Sequence, residues 1–266
     1  NSRVYIFSVG LTGLVNYSCL STEKDSDFSR QKLLFNEGWQ FQLAENDSVS
    51  KEDLNISNWQ KVQLPHDWSI EGTISKENPS GHFGGYYLGG VGWYKKSFDS
   101  GASCKNKLVS ITFDGVYKDS EVWINDHYLG KRPNGYIGFS YDLSPYIKEG
   151  TNLIRVKADN SKQPNARWYT GSGIYRNVWL QIKDKLSVTE WGTYITSENV
   201  SETSADINFQ SSIGNANPEN KSVTISMEIF DAKNQLVSNK EIEKTLSSSD
   251  TIMIREKLKV ENPQLW

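Results

Sequence analysis

The sequence predicts an all-β chain made of two sandwich domains, and three observations carry that expectation. No segment sustains an apolar period of 3.6 residues, whereas short runs bounded by turn residues recur along the whole length. Aromatic residues make up 12% of the chain, with nine Trp and 13 Tyr, a composition that suits pleated surfaces and flat-faced binding sites. A length of 266 residues is enough for two domains with a core each. Near Val188 the character changes, with less Gly and Trp and more Ser, Thr, Asn and Lys.

The first element is a leader. Arg3 precedes an apolar stretch from Val4 to Val15 that is too short to cross a bilayer, and Ser18-Cys19 ends it. A small residue directly before Cys resembles a bacterial lipoprotein processing site, although Asn16 and Tyr17 stand where Leu, Ala or Gly are usual. A plain secretory signal and a short buried strand are the alternatives. Residues 1–19 are thus expected to be an export signal with Cys19 as its lipidation site. The mature protein would then be a periplasmic or cell-surface lipoprotein of a bacterium, touching membrane only through that anchor. Residues 20–32, rich in Ser, Asp, Lys and Thr, read as a polar linker. A disulfide between Cys19 and Cys104 competes with this reading, but two cysteines so placed do not make a framework.

The first sandwich is expected over residues 33–184. Trp93 to Phe98, Lys107 to Phe113, Ser120 to Asn125, Leu153 to Ala158 and Asn177 to Ile182 read as strands. Ile154, Val156 and Ala158 alternate with Arg155 and Lys157, so one face is expected to be buried and the other wet. Asn125-Asp126 reads as a tight turn. The second sandwich is expected over residues 185–266, small and antiparallel. In it Val223, Ile225, Met227 and Ile229 alternate with polar residues, and Asp231 to Gln235 reads as a hairpin loop into Leu236 and Val237. No chemical constellation stands out there, and a spacer role is expected.

Composition and motifs exclude several functions. The net charge is −3 and no long basic run occurs, which argues against a nucleic-acid partner. His66, His82 and His127 are scattered and not at ligand spacing. No Gly-x-Ser-x-Gly elbow occurs, and the glycine-rich stretch from Gly84 to Gly92 lacks the Gly-Lys-Ser/Thr ending of a phosphate loop. No metal and no cofactor are expected.

Two clusters remain as candidate substrate contacts. From Arg167 to Val178 the chain packs three aromatics, two arginines and two glycines. Gly171 and Gly173 let the loop fold back and present Arg167, Trp168 and Tyr169, flat rings beside hydrogen-bonding groups. The competing reading makes Trp168 and Tyr175 core plugs and Arg176 a buried cation. The second cluster is Leu64-Pro65-His66-Asp67-Trp68. There Asp67, between His66 and Trp68, offers a carboxylate that accepts sugar hydroxyls beside an aromatic wall. In the alternative, Asp67 caps a turn and Trp68 is core. As an exposed site residue Asp67 is expected to matter little to thermal stability.

These clusters stand in an ordered set of blocks: Phe35-Asn36-Glu37-Gly38-Trp39, Leu64-Pro65-His66-Asp67-Trp68, Gly92-Trp93-Tyr94, Phe113-Asp114-Gly115-Val116, Val122-Trp123-Ile124-Asn125, Gly173-Ile174-Tyr175-Arg176-Asn177-Val178 and Asn262-Pro263-Gln264-Leu265-Trp266. In order and spacing they resemble glycoside hydrolase family 2, the β-galactosidase type, from about Leu34 to the C-terminus. The resemblance implies a jelly-roll, galactose-binding-like β-sandwich, an immunoglobulin-like β-sandwich, and then a (β/α)8 barrel, which is absent from this chain. It implies a retaining parent enzyme with two carboxylates roughly 5 Å apart, both downstream, so no residue here is expected to be catalytic.

By the same resemblance Asp67 occupies the position from which an Asp or Asn reaches the barrel's mouth and helps hold the sugar. The Arg167-Trp168-Tyr169 loop matches the other region that does so. One branch has an Asp where this chain has Arg167 or nearby, which is a departure from the pattern. The implied partners are a β-galactoside or related glycan and the missing barrel. Galactose is preferred because Leu64 to Trp68 resembles that branch more than β-glucuronidases or β-mannosidases. A free-standing carbohydrate-binding protein and an adhesive sandwich protein stay open beside the enzyme reading.

Overall fold

The computed structural model describes residues 2–6, 30–44, 59–101 and 104–265. The chain divides into two units, one spanning residues 28–183 and the other holding residues 184–266 together with β1 (Ser2–Ile6).

The first unit contains β2 (Arg30–Leu34), β3 (Trp39–Leu43), β4 (Gln60–Val62), α1 (Trp68–Glu71), β5 (Gly90–Asp99), β6 (Leu108–Phe113), β7 (Ser120–Ile124), β8 (His127–Arg132), β9 (Phe139–Asp142), β10 (Thr151–Asn160) and β11 (Val178–Lys183). They form a six-stranded sheet of order β4-β3-β5-β10-β7-β8 and a four-stranded sheet of order β2-β11-β6-β9. The expected alternation is realised. Val109, Ile111 and Phe113 of β6, Val122 and Ile124 of β7, Ile154, Val156 and Ala158 of β10, and Val178 of β11 are all fully buried in one core. Burying each large aliphatic side chain contributes roughly 1.5–3 kcal/mol.

The strand expected over Leu153 to Ala158 extends to Thr151–Asn160. The reason is that Asn152 and Asn160 continue the buried face at its two ends. Asn152 is satisfied there by donating to the Lys148 and Gly150 carbonyls at 2.8 and 2.9 Å and accepting from the Lys148 N–H at 2.8 Å. A polar residue at a buried position ends a hydrophobic pattern without ending the strand.

The linker expected over residues 20–32 also needs correction. Arg30, Gln31 and Lys32 belong to β2, which pairs antiparallel with β11 from Trp179↔Leu34 to Lys183↔Arg30. Their polar side chains suit an edge strand with one wet face, and pattern alone does not separate that from a tether. Cys104 is buried in the same core, while Cys19 lies outside the described residues.

The second unit contains β12 (Leu186–Glu198), β13 (Ser204–Asn215), β14 (Lys221–Phe230), β15 (Leu236–Leu246) and β16 (Asp250–Glu261). One sheet has the order β12-β13-β16, and the other has the order β1-β14-β15 with β1 parallel to β14. Val223, Ile225 and Met227 point into the core with Phe209, Ile213, Leu246, Ile254 and Leu258. The loop from Asp231 to Gln235 closes the β14–β15 hairpin, with Asp231 Oδ1 accepting from the N–H groups of Lys233 and Gln235, both at 2.8 Å. Of the apolar leader expected over Val4 to Val15, only its first residues are described, as part of β1.

Candidate functional site

The segment from Leu64 to Trp68 enters the sandwich between two stretches of backbone. Leu64 N–H donates to Asn36 O at 3.1 Å, His66 N–H to Ile174 O at 2.9 Å and Trp68 N–H to Ser172 O at 3.3 Å. These bonds lay it alongside residues 172–174, so two clusters a hundred residues apart in sequence meet in space. Gly173 makes the approach possible. Its φ is +113°, and it exchanges two hydrogen bonds with Tyr117, of 2.8 and 2.9 Å. A Cβ there would lie 2.2 Å from Tyr94 Oη and 3.0 Å from His66 O.

Asp67 is the junction. It is the N-cap of α1, and its Oδ1 accepts from Ser69 N–H at 3.0 Å and from Ser172 N–H at 2.8 Å. Its Oδ2 accepts a short hydrogen bond from the Tyr169 hydroxyl. Partial burial, then the hydrogen bond and negative charge of Asp67, hold the Tyr169 phenol far above its ordinary pKa. Tyr169 therefore stays a donor at any working pH. A carboxylate has about four acceptor sites, so Asp67 retains one for a further donor. The capping role, one of the two alternatives set out from sequence, is realised, and it leaves the acceptor site that the sugar-contact reading requires.

The exposed side of the junction is aromatic. Trp168 is 60% exposed, and its indole N–H donates to the Tyr136 hydroxyl at 3.2 Å. Tyr169 packs against Tyr87, with ring centroids 4.4 Å apart. The exposed Arg167 guanidinium lies 5.8 Å from the Phe83 ring centre. The core-plug reading of Trp168 is thereby ruled out, and Arg176 is exposed as well.

Two expected contacts are placed elsewhere. Trp68 is 3% exposed, stacked on Phe41 at 5.5 Å, with its indole N–H donating to Gly89 O at 3.2 Å. It supports Asp67 from the core and is not an outward wall, because α1 turns its first residue inward. His66 is likewise buried, between Phe41 and Tyr94. Burial pushes the Tyr94 phenol well above its ordinary range, and its oxygen is hydrogen-bonded by the Ile174 backbone. The Tyr94 hydroxyl, 2.7 Å from His66 Nδ1, then donates to that nitrogen. In the neutral ring this leaves the proton on Nε2, 3.3 Å from Glu71 Oε1. His66 thus braces the segment internally through Nδ1, while Nε2, near Glu71, is buried and makes no hydrogen bond.

Sequence reasoning missed the residues that hold the loop in place. Asn160, fully buried at the end of β10, donates to Gly171 O at 3.2 Å and Ser172 Oγ at 2.8 Å. Its Oδ1 accepts from Gln163 Nε2 at 2.8 Å and Asn165 Nδ2 at 2.6 Å. Ser69 Oγ lies 2.7 Å from Ser172 Oγ. Of the two residues that complete the aromatic rim, Tyr136 comes from a loop with no motif of its own and Tyr87 from the glycine-rich segment, where it stands next to Tyr86. Chemically, such a set could orient hydroxyls: one carboxylate with an acceptor site to spare, a phenol held protonated, and flat faces beside them. Among the described residues no group of three His, Cys, Asp or Glu side chains is placed to hold a metal ion.

Comparison with known proteins follows the division of the chain. Residues 34–184 match the model of the glycosyl hydrolases family 2 sugar binding domain, and residues 188–266 match that of glycosyl hydrolases family 2. The chain is 42% identical over 238 residues to the β-galactosidase BoGH2A of Bacteroides ovatus, covering 89% of this chain and 28% of that protein. It is 31% identical over 268 residues to a β-glucuronidase of Formosa agariphila, covering 92% of this chain and 27% of that one. The crystal structure of a glycosyl hydrolase family 2 member from Bacteroides cellulosilyticus superposes with a TM-score of 0.79 at 35% identity, covering 88% of this chain and 31% of that one. The chain thus spans less than a third of the length of these relatives.

Proposed function

The chain belongs to glycosyl hydrolases family 2, and from that membership we propose that it is the N-terminal, non-catalytic portion of an exported, retaining β-galactosidase-like enzyme. In this reading the first sandwich lends the Asp67–Tyr169 junction and its aromatic rim to a sugar held mainly by the catalytic barrel, and the second sandwich is a spacer. The observation that carries it is the convergence of Asp67 with the Arg167 to Tyr169 loop through the Tyr169 hydroxyl and the Ser172 N–H. A galactoside is favoured by the 42% identity to the β-galactosidase, against 37% to a putative β-glucuronidase and 31% to a β-glucuronidase of Formosa agariphila.

The acid and the nucleophile of a retaining mechanism would come from the barrel. Positioning alone lowers a barrier without breaking a bond. The purified 266-residue chain is therefore expected to be inactive on chromogenic β-galactosides, and turnover above that of a mock purification would contradict the assignment. Reading the gene beyond Trp266 tests the parent: a barrel with two strand-end glutamates supports it, and a stop codon sinks it.

Export through a lipoprotein pathway completes the proposal, on the strength of the Val4 to Val15 stretch and Ser18-Cys19. Processing before Cys19 would remove β1 and leave a lipid-modified terminus. Mass spectrometry of the mature N-terminus is expected to find acylated Cys19; an unmodified Cys19 or another cleavage site would sink the lipoprotein reading.

A further inference from the structure

The outer face of the six-stranded sheet carries a pattern that the Asp67 junction does not use. Antiparallel register sets Lys61, Gln40, Lys95, Arg155, Trp123 and Tyr128 side by side across β4, β3, β5, β10, β7 and β8. Two residues along the strands, Gln42, Trp93, Lys157, Glu121 and Lys131 form a second row. Both rows face away from the core, because their chain neighbours Phe41, Tyr94, Val122 and Val156 fill it and successive side chains alternate.

The chemistry of these rows is specific. Trp93, itself buried at 2% exposure, supports Trp123 by stacking at 5.4 Å with an interplanar angle of 28°, and Trp123 leads at 5.3 Å to Tyr128, which is 46% exposed. Lys95 Nζ sits 4.0 Å from the centre of the Trp59 ring. Arg155 faces it directly on the next strand; its guanidinium donates to Asn125 O at 2.8 Å and lies 3.7 Å from the carboxylate of Asp126, whose side chain is 87% exposed. Like charges directly opposite each other in a sheet are unfavourable. Burial, and then the Arg155 charge, lower the Lys95 pKa. Among the described residues Lys61, Lys95 and Lys157 form no ion pair. Trp93 Nε1 and Gln42 Oε1, opposite each other in the second row, are buried without a hydrogen-bond partner.

We infer that this face binds an acidic, uronate-bearing polysaccharide. The exposed Tyr128 ring and the half-buried Trp123 ring supply flat surfaces for sugar faces, and Lys61, Lys95, Lys157 and Arg155 supply partners for carboxylates. Strands stand about 4.8 Å apart, so Lys61, Lys95 and Arg155 span about 15 Å, room for a short oligosaccharide. The charge is sparse and not uniform. Glu121, hydrogen-bonded to Tyr128, lies among the cations and opposes densely charged chains such as sulfated glycans and nucleic acid.

Affinity electrophoresis of the 266-residue chain in native gels containing polygalacturonate tests the inference, with neutral galactan, dextran sulfate and duplex DNA in parallel gels. Retardation is expected in polygalacturonate and not in the other three. The double variant Lys95→Gln/Lys157→Gln, with an unchanged thermal midpoint, and separately Trp123→Leu, with a lowered midpoint but a folded chain, are expected to weaken it about tenfold or more, whereas Asp67→Asn keeps it. No retardation in polygalacturonate, equal retardation of the double variant, or equal retardation in any of the other three polymers would overturn the inference. Loss of polygalacturonate binding in Asp67→Asn would also overturn it, by tracing the binding to the junction.

Discussion

Gly173→Ala is expected to remove on the order of 3–5 kcal/mol of folding stability from the first sandwich, the sum of backbone strain and overpacking. The φ of +113° disfavours any side chain, and the new methyl would enter within 2.2 Å of the Tyr94 hydroxyl oxygen. Tyr94 has nowhere to go, being fully buried with its oxygen committed to His66 Nδ1 and the Ile174 backbone. Moving Gly173 instead breaks its paired bonds to Tyr117. Urea unfolding of the first sandwich reads the effect as a shifted midpoint at constant slope. A change below about 0.5 kcal/mol, the range of an uninvolved surface site, would show that the close approach is not as described.

Replacing Asp67 is the second large effect, and the structure changes what sequence alone leads one to expect. In the proposed full-length glycosidase, Asp67→Ala is expected to lower kcat/KM by on the order of 2–3 kcal/mol through loss of the proposed positioning bonds. Stability is not spared, however. The substitution removes a helix cap and strands the Ser172 N–H, a loss of about 2 kcal/mol. Asp67→Asn separates the two contributions, since an amide oxygen can keep both Oδ1 bonds and cap α1 as well as aspartate does. It is expected to hold the thermal midpoint while kcat/KM falls. A parallel fall in both for Asn, or no fall in kcat/KM for Ala, would reduce Asp67 to a structural cap.

The fold was legible because its strands obey a two-residue period. Val109 to Phe113, Ile154 to Ala158 and Val223 to Met227 announce their buried faces, and Asn125 and Asp231 announce their turns. The ends of strands were not legible where buried asparagines replace apolar residues, as at Asn152 and Asn160, or where an edge strand has only polar side chains, as at Arg30 to Lys32. At the site, residue type revealed Asp67 and the loop from Arg167 to Tyr169 as unusual. It did not say which way each side chain points. Trp68 and His66 differ from Trp168 in orientation, and orientation follows from the backbone bonds that seat residues 64–68 against residues 172–174. Tyr136 was hidden, and Tyr87, one of two adjacent tyrosines in the glycine-rich segment, was visible without a role, for a related reason: a tyrosine in a loop gains a role only when its neighbours are known.

The Asn160 anchor has a consequence for how this surface changes over time. The loop it holds is tied at positions 160, 163, 165, 171 and 172, none of which is an exposed aromatic or a charge. Arg167 and Trp168, the residues that the proposed ligand would meet, contribute none of those ties; Trp168 adds only its exposed indole bond to the Tyr136 hydroxyl. Path and identity are therefore separable: the loop is held before anything binds, so a ligand loses little free energy in ordering it. Substitutions at 167 and 168 can alter what is met without altering where it is met. Those two positions are where related chains can drift toward different ligands at small risk to the fold, and where a library aimed at new binding preference is best concentrated.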